Sequence, residues 1–284
     1  MAEPDEIESL FDANRKLWDE RVGIHLAPGG YDLTALLAGR GRLHALVETE
    51  LAGLVGDLVG KRVIHLQCHI GNEVLSLAQR GAEVVGVDFS PAAVVAGRSL
   101  AAELGLADRA RFVECNVYDA PEAVSEARFD LVLVTWGAIY WLPDVRAWAR
   151  VAAKFLRPGG LFYIAEGHPS ALVFDDAAPG LEDRPGWFAP YFQTGPIAID
   201  ELEDYANREA ALEHVRSYSW MHPLGETVTA LIDAGLTLRF LHEHDAVPWR
   251  MFRSLEEGSD RMWRWPARPW LPLGFSIAAE KAKI

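Results

Sequence analysis

The chain has 284 residues, half of them hydrophobic and 24% charged, with a formal net charge of -14. That length and composition suit one large α/β domain, or two modest ones, with a sizeable core. Tracking nucleic-acid phosphates over a long footprint, or lying on an anionic membrane, requires a basic face that the charge balance does not supply. The two cysteines, Cys68 and Cys115, imply no disulfide framework. The N-terminal MAEPDEIESLFD lacks a basic-then-apolar signal pattern, and no apolar run reaches bilayer length, so a soluble cytoplasmic protein is expected.

Taken in chain order, residues 5–22 place Ile7, Leu10, Phe11 and Leu17/Trp18 at helical spacing, and a second helix is expected over 42–57. A regular alternation then begins. VIHLQ (63–67) reads as a strand, NEVLSLAQR (72–80) as a helix stopping before Gly81, and VVGVD (84–88) as a strand. Ser90-Pro91 opens a helix over 91–104 with a hydroxyl cap and a proline in the first turn. Strands follow at 111–115 and 129–135, a helix at 143–156, and a strand at 161–166 after Pro158-Gly159-Gly160. This alternation predicts βαβ crossovers and a mostly parallel sheet covered on both faces.

Beyond Glu166 the rhythm breaks for about fifty residues rich in Pro, Gly, Asp and aromatics. It returns as a helix at 225–235, a strand at 236–244 and a last strand at 271–281. The expected organisation is a helical cap segment over 1–60 and one α/β domain over 61–284. Lid-like insertions are expected at about 169–223 and 245–270.

Ligands of such sheets sit at the carboxyl ends of the strands, near the reversal of strand order. After the first strand comes Gln67-Cys68-His69-Ile70-Gly71-Asn72, where Gly71 permits a tight turn into a helix N-terminus. After the second comes Asp88, whose carboxylate suits both hydroxyls of a ribose, with Phe89 beside it to pack on a purine. After the third comes Asn116, a donor and acceptor that suits an adenine edge. A helix cap for Asp88 and a turn for Asn116 are the plainer alternatives. The three together in strand order point to a nucleoside. The G-x-G-x-x-G pattern is absent, which disfavours a pyrophosphate.

These residues resemble class I S-adenosylmethionine-dependent methyltransferases. The carriers are VIHLQCHIGNEVLSLAQRGAEVVGVDFSP, FVECNVYD, FDLVLVTWGAIYWLPD, LRPGGLFYIAEGHP and LPLGFSIAAEK; HLQCHIG with the YDLTALLAGR leader resembles a bacterial small-molecule subgroup. Where the family's glycine loop reads D/E-x-G-x-G-x-G, this chain has His65, Gln67, His69 and Gly71. The resemblance implies a Rossmann-like seven-stranded sheet of order 3-2-1-4-5-7-6 with the last strand antiparallel. It also implies that S-adenosylmethionine is the cofactor: Asp88 on the ribose with Phe89 alongside, Asn116 and the adjoining Val117 at the adenine, and Gln67, His69, Gly71, Trp136 and Gly137 around the methionine portion.

A sulfonium donor is already activated, so the enzyme's task is alignment and exclusion of water, with a base required only if the nucleophile must lose a proton. His168, just past the fifth strand, is the first candidate base, and loop ordering before Pro169 is its alternative. Tyr140 and Trp141 are candidates for catalysis and the acceptor wall, His222 for the substrate, and Tyr31 and Arg40 for capping the site. His65-x-x-Cys68-His69 has no second ligand cluster at zinc spacing, so no metal is expected. Trp187, Phe188, Tyr191, Phe192, Trp249, Trp263, Trp265 and Trp270 suit a lid over a flat acceptor, or an oligomer contact. The expectation is methyl transfer to a small aromatic or planar metabolite, without nucleic acid or membrane. A nicotinamide oxidoreductase and a non-catalytic cofactor-binding protein stand as alternatives.

Overall fold

The computed structural model describes residues 4–125, 128–176 and 185–283. Seven strands form the central sheet: β1 (Arg62–Leu66), β2 (Glu83–Asp88), β3 (Ala110–Glu114), β4 (Phe129–Thr135), β5 (Leu156–Gly167), β6 (Leu236–His244) and β7 (Gly274–Lys281). Their spatial order is β3-β2-β1-β4-β5-β7-β6. The first five run parallel, and β7 is antiparallel to both β5 and β6. This is the expected Rossmann-like order, with its reversal between β1 and β4.

Strand residues alternate between two faces, and each face is apolar because helices cover both. Ile64, Leu66, Val132, Val134, Phe162 and Ile164 meet α5 (Val145–Phe155) and α6 (Leu224–Asp233), with Trp148 fully buried between. Val63, Leu131, Leu133, Tyr163 and Ala165 meet α2 (Ala45–Val55), α3 (Asn72–Gln79) and α4 (Pro91–Glu103). Two helix starts carry their own caps: Ser90 Oγ accepts from the Ala93 amide at 3.0 Å and Asp144 Oδ1 from Ala147 at 2.8 Å. At the other end of α5, Lys281 Nζ donates to the carbonyls of Ala153 and Leu156 at 2.8 and 2.9 Å, tying β7 to the helix exit.

The expected elements recur with shifted ends. α1 extends over Pro4–Leu26, β5 begins at Leu156, and the last strand begins at Gly274. The stretch beyond β5 holds short pairings, Phe174–Asp175 with Gly186–Trp187 and Ile197–Asp200 with Arg216–Ser219. Between β6 and β7 lies a small three-stranded sheet, Ala246–Val247, Trp263–Arg264 and Glu256–Glu257. α1 packs on α4 and on the Arg216–Ser219 strand, where buried Asn14 exchanges two 2.8 Å bonds with the Tyr218 backbone. N-terminal helix and distant insertion thus share one surface over the carboxyl edge.

Gly71, in the turn from β1 to α3, has φ +79°, and a Cβ there would lie 2.3 Å from Phe112 Cε1. Only glycine accepts both the backbone and the ring. We expect Gly71→Ala to destabilise the protein by about 2–4 kcal/mol, from left-handed strain plus overpacking; a urea midpoint within error of wild type would show that the turn has room to give.

Candidate functional site

The carboxyl edge is organised by two buried carboxylates. Asp88, 6% exposed, accepts the His69 amide on Oδ2 at 2.7 Å and the Ser90 amide on Oδ1 at 2.9 Å. It therefore bridges the turn after β1 and the start of α4. Burial pushes its pKa up to about 6, against the lowering effect of those amides. Glu166, at the end of β5, accepts four backbone amides: Gly137 and Ala138 at 2.6 Å, Gly167 at 2.7 Å and Ile139 at 3.0 Å. It clamps the loop after β4, and burial raises its pKa although all four donors favour the charged form.

Between the clamps lie residues in uncommon backbone conformations. Gln67, His69 and Trp136 have φ of +58°, +50° and +44°, beside Gly71 and Gly137 at +79° and +78°. For side-chain-bearing residues this region is sparsely populated and gathers at ligand sites. Gln67 Nε2 donates to the Ala138 carbonyl at 2.7 Å, joining the β1 and β4 loops. Gln67 Oε1, His69 Nδ1, Asn72 Oδ1, Trp136 Nε1 and Trp141 Nε1 are each buried without a hydrogen-bond partner among the described residues. All follow β1 or β4. Orphaned polar atoms cost free energy unless a ligand meets them, so these residues fit a polar small molecule laid across the strand ends.

Phe89 is half-buried beside Asp88. Asn116 caps the short 3-10 turn Val117–Asp119 by accepting the Tyr118 amide at 3.1 Å, and Val117 is buried in the core beneath it. Val117 therefore has only backbone to offer a ligand. His65 turns from the loop to Thr135 Oγ1 at 3.1 Å, whereas His69 turns outward to His25.

The acceptor-side candidates separate. Trp141 meets Trp18 edge-on, with ring centroids 5.5 Å apart. The Tyr140 ring hangs over Gly137, where a Cβ would lie 3.2 Å from its hydroxyl oxygen. Burial, with Glu166 nearby, raises the Tyr140 pKa, so it remains a proton donor. His222 Nε2 donates to the Leu142 carbonyl at 2.7 Å, bracing the β4 loop against the segment before α6. Tyr31 stacks on His25 at 4.3 Å and its hydroxyl bonds that of Tyr205, while Arg40 is exposed.

His168 does not have the geometry of a base. Its Nδ1 accepts the Ser170 amide at 3.1 Å, which places the ring hydrogen on Nε2, 3.1 Å from Glu243 Oε1 but poorly aligned for a hydrogen bond. A base needs an open lone pair, and that of His168 is spent on ordering its own loop. Sequence reasoning missed the cluster above the β1 turn: Arg21 paired with Glu201 and lying over Trp18 and Tyr205, and His25 between His69 and Asp204. The lid aromatics divide as well. Trp249, Trp263 and Trp265 pack around Phe252 in a satellite core with Trp136, whereas Trp187, Phe192 and Trp270 are 77%, 78% and 65% exposed.

Residues 63–160 match the family model described as a methyltransferase domain. Over 121 residues the chain is 38% identical to a 23S rRNA (uracil(1939)-C(5))-methyltransferase from Nitrosospira multiformis, covering 41% of this chain and 26% of that one. Over 126 residues it is 29% identical to a ubiquinone biosynthesis O-methyltransferase from Alkalilimnicola ehrlichii, covering 44% and 49%. The chain thus spans about a quarter to a half of these relatives. A solved structure assigned as an S-adenosylmethionine-dependent methyltransferase from Listeria monocytogenes superposes with a TM-score of 0.60 at 15% identity, over 86% of this chain and 97% of that one.

We expect Glu166→Gln to cost about 2–3 kcal/mol of stability, because the amide turns one N–H group toward donors that the carboxylate accepted. Chemical denaturation reads this, and an unchanged free energy would show that the β4 loop holds without the clamp. The strand order and the two strand-end loops agree with these comparisons: residues 63–160 are similar to methyltransferase domains, and the whole sheet has the Rossmann-like fold of the Listeria structure.

Proposed function

We propose that the chain transfers a methyl group from S-adenosylmethionine to a small planar or aromatic metabolite. The observation that carries this reading is the row of polar groups along one sheet edge: Asp88 at the end of β2, Asn116 after β3, and the orphaned atoms of Gln67, His69 and Asn72 after β1. Spacing across adjacent strands suits an adenosine with an amino-acid tail. When bound, the cofactor supplies an electrophilic methyl on a positively charged sulfur.

The chain's own residues then bind, align and exclude water. Asp88 retains lone pairs for ribose hydroxyls while its amide donors hold it in place. Asn116 presents its amide toward the base. Trp18 and Trp141 form an apolar wall beside the β1 turn, and a cation such as a sulfonium gains from aromatic faces. Tyr140, kept protonated by burial, orients an acceptor by donating a hydrogen bond. With His168 spent on its loop, positioning carries more of the reaction than general-base catalysis.

The similarity to an rRNA methyltransferase raises RNA as an acceptor. The net charge of -14 and the pairing of Arg21 with Glu201 and Asp204 beside the site favour a small molecule instead.

Calorimetry with S-adenosylhomocysteine tests the cofactor assignment. Asp88→Ala is expected to weaken binding by about 2–3 kcal/mol, the loss of charged hydrogen bonds; unaltered affinity would remove Asp88 from the site. The pH dependence has a defined sign. The apo carboxyl titrates near pH 6 and ribose hydroxyls favour its ionised form, so affinity rises as pH increases, by about tenfold from pH 5 to pH 7. Asp88→Asn abolishes that rise. Transfer of labelled methyl groups to planar phenols or heteroaromatics supports the acceptor class, and transfer to an rRNA transcript alone overturns it.

A further inference from the structure

The cluster above the β1 turn joins three regions distant in sequence: His25 on α1, His69 in the cofactor loop, and Asp204 in the insertion. Its proton inventory follows outward from the carboxylate. Asp204 is fully buried, with Oδ1 taken by the amides of Ala206 and Asn207 at 2.8 and 3.0 Å. Its Oδ2 faces His25 Nε2 at 3.1 Å, with Arg21 Nε 3.2 Å away. Burial opposes its ionisation, but the His25 and amide hydrogen bonds hold its pKa below the usual range. An ionised carboxylate only accepts, so His25 Nε2 carries the ring hydrogen.

His25 Nδ1 is then an acceptor, and at 2.8 Å it receives the hydrogen of His69 Nε2. That leaves His69 Nδ1 as a bare lone pair, the same atom that is buried without a partner. A charged His25 would reverse the order, but it would set a second buried cation beside Arg21 at one carboxylate oxygen. Burial, with the Arg21 charge nearby, also keeps His69 neutral by lowering its pKa well below the usual imidazole value.

On the methyl-donor reading above, we propose that the Asp204–His25–His69 relay fixes His69 Nδ1 as a hydrogen-bond acceptor for the α-ammonium of the cofactor's methionine tail. The cofactor has three kinds of N–H and O–H donor: the adenine amino group, the ribose hydroxyls and the α-ammonium. On that reading Asn116, after β3, and Asp88, at the end of β2, take the first two. His69 follows β1, one strand nearer the reversal point, and the ammonium is the donor that remains. The relay also accounts for a histidine in the left-handed backbone region, at φ +50°, where a side chain is strained. Asp88, at the end of β2, also accepts the His69 amide, which fixes the two residues relative to one another.

The test compares S-adenosylhomocysteine with 5′-methylthioadenosine, which keeps adenine and ribose but lacks the amino-acid tail. In wild-type protein both bind. In His69→Ala and Asp204→Asn the first ligand is expected to weaken by about 10- to 100-fold, the loss of a charged hydrogen bond, and the second by less than twofold. Asp204→Asn acts as a positioning variant, because an amide hydrogen facing His25 Nε2 reverses both ring tautomers. Should either variant fold poorly, nitrogen-15 spectra of wild-type imidazoles give the same answer: His69 Nδ1 unprotonated in the free protein, shifted by S-adenosylhomocysteine and unmoved by 5′-methylthioadenosine. Equal losses for both ligands, or a protonated Nδ1, would overturn the relay. Wild-type protein that binds neither ligand would bring down the methyl-donor reading with it, whereas intact binding of both in His69→Ala removes the relay alone.

Discussion

The carboxyl edge of the sheet depends on one buried side chain, Asp88, which holds the amides of His69 and Ser90 at once. Each amide belongs to a different crossover. The first lies in the turn from β1 to α3, the second at the start of α4, so one carboxylate sets the relative position of two helix entries. The arrangement is costly, since burial moves the group toward its protonated form. A site that sacrifices stability in this way gains a carboxylate whose position is fixed before a ligand arrives. Glu166 does the same for the loop after β4, and Gln67 joins the two loops through the Ala138 carbonyl. The edge is therefore a connected set of buried polar groups over an apolar sheet.

The sheet was legible because its physics is local and repetitive. Apolar runs such as VVGVD and FDLVLVT fit strands covered on both faces, and Ser90-Pro91 and Gly71 mark helix entries by their own backbone requirements. Strand ends were less legible. β5 starts at Leu156, inside the helix expected over 143–156, because pairing with β4 captures the residues before Pro158-Gly159-Gly160. The short pairings at Phe174–Asp175 and Ile197–Asp200 depend on partners that pattern alone does not name.

The strand-end residues could be named in advance because the topology dictates where ligands sit. Groups that cross between elements could not. Asp204 lies 179 positions from His25, and nothing in its neighbourhood distinguishes it from a solvated loop carboxylate. A signal did exist on α1: Asn14, Trp18, Arg21 and His25 recur at i, i+4, i+7 and i+11, a polar and aromatic stripe on one side of the helix. Three of these residues, Asn14, Arg21 and His25, are almost wholly buried, so the stripe faces protein and not water. His168 shows a different limit of the sequence. Its position after β5 suggested chemistry, but Ser170, two residues on, uses the nitrogen that chemistry would need.

The burial of that stripe bears on what reaches the site. α1 and the insertion meet over the sheet edge through Asn14 with Tyr218, Arg21 with Glu201, and His25 with Asp204. Each contact satisfies a buried polar or charged group, so parting the seam would break several such contacts together. A long polymer acceptor needs a permanently open, basic approach, whereas a small molecule needs only a transient gap. The positive charge of Arg21, which would otherwise attract phosphate, is committed to two carboxylates. On the methyl-transfer reading proposed above, the closed seam and the charge placement both favour a small acceptor, for independent physical reasons.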